Sequence, residues 1–130
     1  MRRLAVMALL FVAVVGCGGD PPEAAEAPPS TTSAVTPEDV FAAVMDSTAP
    51  GWRQDFAVEG AEGSEPEQLA ILAAQTACSR LESMPIEDVL LSFLSGALPA
   101  DTVGSLLYAA TVAYCPAYTQ AVQNYADTNR

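Results

Sequence analysis

The sequence contains no histidine and no lysine, and its five basic residues are all arginines. Without histidine the chain lacks the commonest general base, the Ser-His and Cys-His nucleophile pairs, and the imidazole metal ligands. Adjacent acids such as Glu87 and Asp88 diverge by about 100° on a helix, which favours solvated partners of a helix dipole over a catalytic pair. We therefore predict no catalytic residues, no metal site and no cofactor, and a protein that is not an enzyme.

Basic residues are also scarce relative to the 16 acidic ones, and the formal net charge is −11. If Arg2 and Arg3 leave with a signal segment, three arginines remain and the net charge becomes −13. A chain of this charge cannot neutralise a row of phosphates, so both nucleic acid and anionic lipid head groups are disfavoured, and we predict no nucleic-acid partner. Basic proteins and cations remain as partners, or the acids only solvate the surface.

The sequence has no apolar run long enough to cross a bilayer: Leu4 to Val15 holds about 12 residues, and a transmembrane helix needs about 20. With Arg2 and Arg3 before it, this run is typical of a secretory signal. It ends in Val14-Val15-Gly16-Cys17, which resembles a bacterial lipobox, where the cysteine is acylated and becomes the mature N-terminus. The alternative is an ordinary cleaved signal that contains a cysteine.

These signals predict three segments. Residues 1–16 form a signal peptide, residues 17–35 form a lipidated N-terminus with a Pro/Ala/Glu-rich tether, and residues 36–127 form a helical domain. The tether has no large apolar residue before Val35, so it buries too little surface to offset its ordering entropy and is predicted to be disordered. We expect an exported protein that acylated Cys17 anchors to the outer face of the cell membrane.

Hydrophobic periodicity and helix start signals predict an all-α domain, a small bundle of four helices with five as the alternative. The expected helices run from Thr36 to Ala49, from Ser64 to about Glu82, from Pro85 to Gly96 and from Pro99 to about Tyr114. Ser64 and Glu67 give the second helix a capping-box signature. Its expected inner face carries Ile71, Ala74, Cys78 and Leu81.

Pro116 interrupts the fourth expected helix because it lacks an N–H and its ring collides with the carbonyl four residues earlier. Either the helix kinks there, or it ends near Tyr114 and a short fifth helix begins at Pro116. If helical geometry persists, Tyr114, Tyr118, Val122 and Tyr125 share a face. We interpret this stripe as the rim of a core, with a ligand surface as the alternative.

The only tryptophan lies in the least regular stretch of the domain, residues 50–63. Trp52 and Phe56 are four residues apart, so a single helical turn would place both rings on one side. We interpret them as a cap over the open end of the core, and the alternative is an exposed binding anchor beside Arg53. The candidate recognition surface comprises Trp52, Arg53, Phe56, Tyr118 and Tyr125.

Three cysteines leave one over after pairing in an exported protein, and acylation of Cys17 accounts for the odd one. Cys78 and Cys115 can then form a disulfide that clamps the second expected helix to the end of the fourth. The alternative is a reactive thiol, but Arg80 lies two residues from Cys78 and therefore on another helix face. We predict a structural disulfide between Cys78 and Cys115.

The segments around these cysteines resemble a family of small exported proteins and lipoproteins of mycobacteria and related actinobacteria, known as domain of unknown function family 732. The resemblance lies in Asp39-Val40-Phe41, in Ala77-Cys78-Ser79-Arg80-Leu81 and in Tyr114-Cys115-Pro116, and it covers about Glu38 to Ala117. It implies an all-helical exported domain with a disulfide. The family has no established activity, so the resemblance implies none for this chain.

Two functions remain as expectations. The first is a cell-envelope lipoprotein whose non-catalytic helical domain is an interaction module for an unknown envelope or extracellular protein. The second is a carrier that holds a small hydrophobic ligand or lipid in a cavity between the helices.

Intact-mass analysis of the membrane-extracted protein checks the two cysteine predictions together. We expect a mature chain that begins at acylated Cys17 and lacks two hydrogens, because Cys78 and Cys115 are oxidised to a disulfide. An unacylated Cys17, or two free thiols on unreduced mature protein, would contradict these predictions.

Overall fold

The computed structural model describes residues 34–57, 63 and 65–129, and the predicted signal peptide, Cys17 and nearly all of the tether lie outside them. Within the described residues the chain forms six α-helices, one short 3₁₀ helix and no strand, which confirms the all-α prediction. The elements are α1 (Pro37–Thr48), α2 (Trp52–Asp55), α3 (Pro66–Leu81), α4 (Ile86–Leu94), α5 (Ala100–Ala113), the 3₁₀ helix (Pro116–Tyr118) and α6 (Thr119–Thr128). No helix in this part of the chain is long and apolar enough to span a bilayer.

The first helix begins where its sequence signals predict. Thr36 is the N-cap: its hydroxyl accepts a hydrogen bond from the Asp39 N–H at 3.2 Å, and the Asp39 carboxylate accepts one from the Thr36 N–H at 3.0 Å. This backbone hydrogen bond lowers the pKa of Asp39 below its ordinary value. The chain leaves α1 through Gly51, whose φ of 93° lies in the left-handed region that favours glycine.

The predicted start of the next long helix was wrong by one residue. The N-cap position of α3 is occupied by Glu65, which makes no side-chain capping bond, and not by Ser64, which lies outside the described residues. Pro66 explains the difference, because a proline holds the residue before it in an extended conformation and is itself well suited to the first helical position. Glu65 has this extended backbone, with φ −65° and ψ 132°.

The chain breaks at Pro116 instead of kinking. α5 ends at Ala113, the 3₁₀ helix begins at Pro116, and α6 continues from it, so the second of the two alternatives is correct. The structure therefore has more helices than the four or five expected, because the turn predicted at Trp52 also closes into the short helix α2.

The centre of the domain is α5, against which α1, α3, α4 and α6 all pack. Its buried side chains are Thr102, Val103, Leu106, Leu107, Ala109, Ala110 and Thr111. The two buried threonine hydroxyls are hydrogen bonded: Thr102 donates to the Asp55 carboxylate at 2.5 Å, and Thr111 donates to the Tyr108 carbonyl at 2.8 Å. Because burial covers most of its circumference, α5 has only one open face.

The inner face of α3 is rotated relative to the prediction. Its buried residues are Ala70, Ala74, Ala77 and Leu81, whereas Ile71 and Cys78 are only partly buried. Alanines let two helices approach closely, so α3 meets α5 through its small side chains and leaves the larger Ile71 at the edge. On α4, Val89 is buried whereas Leu94 is 42% exposed.

The predicted disulfide is confirmed. Cys78 of α3 is bonded to Cys115, which follows α5, with 5.9 Å between the Cα atoms. Both residues are partly buried against the core. The bond therefore fixes the chain reversal after α5 to the helix that packs beside it.

Replacing Cys78 and Cys115 together by alanine tests the contribution of this cross-link. With a sequence separation of 37 residues, the chain-entropy model predicts a loss of about 4 kcal/mol in the free energy of unfolding. Urea denaturation followed by circular dichroism measures the loss, and reduced wild-type protein should match the double variant. A double variant as stable as the oxidised wild type would contradict this account.

Candidate functional site

A groove of about 1090 Å³ lies over the open face of α5 and is broadly exposed to solvent. Helix α5 forms the floor of the groove, and α4 and α6 form its borders. Thr48, the last residue of α1, closes one end. Since the remaining sides of α5 are covered by its neighbours, this face is where the central helix is accessible. The groove is therefore the candidate functional site.

Gly104 deepens the groove because glycine has no side chain to project from the floor. It lies in the middle of α5, and a Cβ added to it would meet no atom within 4 Å. Glycine inside a helix destabilises by roughly 0.5–1 kcal/mol relative to alanine, and packing at this position does not require it. The glycine thus widens the groove at the expense of helix stability.

Hydrogen bonds hold the borders of the groove to its floor. Gln123 of α6 donates from Nε2 to the Tyr108 hydroxyl at 3.2 Å, and Ser105 donates to the Thr48 carbonyl at 3.3 Å. These bonds connect α5 to α6 on one side and to the end of α1 on the other. The shape of the groove consequently depends on two helices, α6 and α1, that hydrogen bonds anchor to α5.

The lining of the groove is mainly apolar, with Leu90 and Leu94 on α4 and Val122 on α6. Leu91 does not line the groove, but it lies three residues before Leu94 on the same side of α4 and is 62% exposed. The apolar strip of α4 therefore continues past the edge of the groove. Two carboxylates, Asp101 and Asp127, also line it.

Two residues of the predicted recognition surface belong to the core. Trp52 is 1% exposed and Phe56 is 6% exposed. Their rings are 6.1 Å apart in an edge-to-face arrangement, and Trp52 meets Phe41 in the same way at 5.9 Å. The interpretation of both rings as a cap over the core is correct, and the exposed binding anchor is wrong, because α2 turns both rings inward.

Arg53 is exposed but already paired. Its guanidinium contacts the Asp46 carboxylate, bonds to Glu67 at 3.2 Å and lies over the Trp52 ring at 4.3 Å from the centroid. The Trp52 Nε1–H donates to the same Asp46 carboxylate at 2.8 Å. The hydrogen bonds from Arg53 and Trp52 lower the pKa of Asp46, and the Asp46 partner raises the pKa of Arg53. The cluster ties α1, α2 and α3 together.

The two tyrosines of the predicted recognition surface lie in different places. Tyr118 packs against the core from the 3₁₀ helix, whereas Tyr125 lines the groove from α6. Of the five residues expected to recognise a partner, the groove contains Tyr125 alone. Sequence analysis missed Gly104 and Tyr108, although a glycine in the middle of a helical pattern is a signal that could have drawn attention to the first.

Other polar groups give no second site. The Tyr114 hydroxyl is buried without a hydrogen-bond partner in the structure, and burial raises the pKa of this phenol. The Tyr114 ring lies against the Phe41 ring with 6.1 Å between the centroids, so Tyr114 belongs to the core. Across residues 34–57, 63 and 65–129, no three Cys, Asp or Glu side chains are arranged to hold a metal ion.

Fold and groove together define a disulfide-linked all-helical domain whose central helix has one open face. The family model described as Protein of unknown function (DUF732) matches residues 57–117, which confirms the predicted resemblance. The match includes both disulfide cysteines and all of α3, α4 and α5, while the first-helix segment Asp39-Val40-Phe41 lies outside it. No curated protein and no solved structure matched the chain.

Replacing Asp46 by asparagine tests the Arg53 cluster through its pH dependence. Since the folded-state pKa of Asp46 is lowered, its stabilising contribution is present above the unfolded pKa, about 4, and is lost as the pH falls through the folded-state value. We expect Asp46→Asn to have a slightly lower melting temperature than wild type at neutral pH. The difference should close at acidic pH, where the wild-type carboxyl is also neutral.

Thermal unfolding followed by circular dichroism at a series of pH values measures this difference. Glu82→Gln is the control, because Glu82 is exposed and its side chain makes no hydrogen bond within the described part of the chain. A difference between Asp46→Asn and wild type that is constant at all pH values would contradict the role assigned to the Asp46 charge.

Proposed function

We propose that this protein is a non-catalytic interaction domain, carried on an exported and lipid-anchored chain, which docks a partner protein in the groove over α5. The observation that carries the proposal is Gly104, which widens the floor of an open groove where packing would permit an alanine, a better helix former. A position that lowers helix stability without a packing reason indicates that the space above it is used.

The form of the groove favours a macromolecular partner. Its volume of about 1090 Å³ lies just above the range for small-molecule sites, roughly 300–1,000 Å³, and those sites enclose most of the ligand surface. This groove is open, and its apolar strip continues onto exposed Leu91. An extended surface of this kind suits a segment of another protein.

The interior of the bundle gives less support to the alternative, a carrier of a hydrophobic ligand. Phe41, Met45, Trp52 and Leu106 are fully buried and fill the space between the helices. A lipid or small ligand would have to lie in the same open groove, with one side in water. The carrier nevertheless remains the second candidate, because Leu90, Leu94 and Val122 present an apolar lining.

The anchoring part of the proposal rests on sequence. The charged start, the short apolar run and the lipobox-like Val14-Val15-Gly16-Cys17 support export and acylation, and the Pro/Ala/Glu-rich tether supports a domain that stands away from the membrane. Such a position gives the groove access to other envelope or extracellular proteins. The absence of histidine from the whole sequence favours binding over catalysis.

Site-specific photocrosslinking in the native envelope tests the proposal. We expect a benzophenone side chain at Tyr125, in the groove, to form an adduct with one envelope protein, and excess soluble domain to abolish the adduct by competition. The matched control is Leu72, which is 61% exposed on α3, a helix that does not line the groove. An equal adduct from position 72, or an adduct only with lipid, would contradict the proposal, and the second result would favour the carrier.

A further inference from the structure

Three helices present their C-terminal ends to the groove. Thr48 is the last residue of α1, Leu94 is the last residue of α4, and Asp127 and Asn129 lie at the end of α6. The last turn of none of these helices contains a basic residue. Each helix C-terminus carries a partial negative charge of roughly half an elementary charge. The N-terminus of α5, at Ala100 and Asp101, also lines the groove and carries a positive partial charge, but the three negative ends outnumber it, so the net backbone field favours cations.

The two carboxylates of the groove add to this field in different ways. Asp101 lies in the first turn of α5, where the positive end of the helix dipole stabilises it and partly offsets its charge. Asp127 lies in the last turn of α6, where a carboxylate is opposed by the dipole of its own helix. Helix stability therefore does not account for an aspartate at position 127. Its charge remains available to a partner.

The arginines of the described residues are engaged elsewhere. Arg53 is paired with Asp46 and Glu67, while Arg80 bonds to the Ser92 hydroxyl and lies over the Phe93 ring at 5.5 Å from the centroid. Neither of them lines the groove. Within residues 34–57, 63 and 65–129, no cationic side chain compensates the negative lining.

We propose that the groove binds a basic amphipathic segment of another protein, and this inference rests on the proposed docking function. Its apolar side chains would pack on Leu90 and Leu94, and its lysine or arginine side chains would meet Asp101, Asp127 and the negative ends of the three helix dipoles. The apolar and negative elements lie in one groove, so they select a segment that carries both features.

Charge opposes two other protein occupants. A second copy of the mature chain, which has 16 acids and three arginines, carries the same net charge of −13 and would be repelled. The chain's own N-terminal segment over residues 18–35 contains Asp20, Glu23 and Glu26 and no basic residue, so it has the wrong charge as well. A basic partner gains attraction from the whole molecule in addition to the contacts in the groove.

The test uses a fluorescent helical peptide of about 18 residues, with leucines along one face and lysines on the other, long enough to extend past the groove onto Leu91. Its matched counterpart has glutamate at every lysine position. The exported chain carries Cys17→Ser, which keeps it free of lipid, and binding is followed by fluorescence anisotropy at low and physiological salt. We expect the lysine peptide to bind, the glutamate peptide not to bind, and added salt to weaken the complex.

Two charge-matched double variants separate the groove from general attraction. Asp101→Asn with Asp127→Asn should weaken the lysine peptide about tenfold, since two contacts with charged partners are lost. Glu87→Gln with Asp88→Asn changes the net charge equally but alters exposed acids on α4 that do not line the groove, so its effect should stay under about twofold. Equal losses in the two variants would overturn the inference.

Gly104→Gln distinguishes failure of this inference from failure of the proposed function. Glutamine is a good helix former, and its Cβ would meet no atom within 4 Å at this exposed position, so the melting temperature should be unchanged or higher while the rest of the side chain extends into the groove. We expect the lysine peptide to lose its affinity. If both peptides bind wild type equally and Gly104→Gln abolishes both, the charge preference is wrong but docking stands. If Gly104→Gln leaves binding of the lysine peptide intact, docking in the groove is wrong as well.

Discussion

The packing of α1, α3, α4 and α6 around α5 is the interaction on which the rest of this structure depends. Small residues such as Ala109 and Ala110 let neighbouring helices approach α5 closely, and the disulfide from Cys115 to Cys78 fixes the chain reversal that follows it. A domain of this size has a modest core, so the cross-link supplies stability that burial alone does not. The open face of α5 is what this packing leaves over, and it becomes the groove.

Local chemistry was predictable from sequence, and the arrangement of helices was not. Thr36 specifies the start of α1 and Pro116 the end of the α5 pattern, because caps and prolines act within a few residues. The same local effect at Pro66 moved the start of α3 away from the expected Ser64 signature. The rotation of α3 toward Ala70 and Ala77 depends on a helix far along the chain, and hydrophobic periodicity carries no information about that partner.

The residues that attract attention in the sequence have structural roles, whereas the groove is built from residues that do not stand out in the sequence. Trp52 fills the core and Arg53 neutralises acids of α1 and α3, so the chemistry of this pair is used within the fold. Gly104 and Asp127 are unremarkable in sequence, yet each stands where helix stability favours another residue. A position that is unfavourable for its own helix is the stronger indication of a binding role here.

Amide hydrogen exchange of the domain, alone and bound to the basic amphipathic peptide, tests the central claim most directly. The account predicts added protection at the C-terminal half of α4, along the open face of α5 from Gly104 to Tyr108, and over the second half of α6. Protection confined to the outer face of α3 around Leu72, with the groove unchanged, would contradict it.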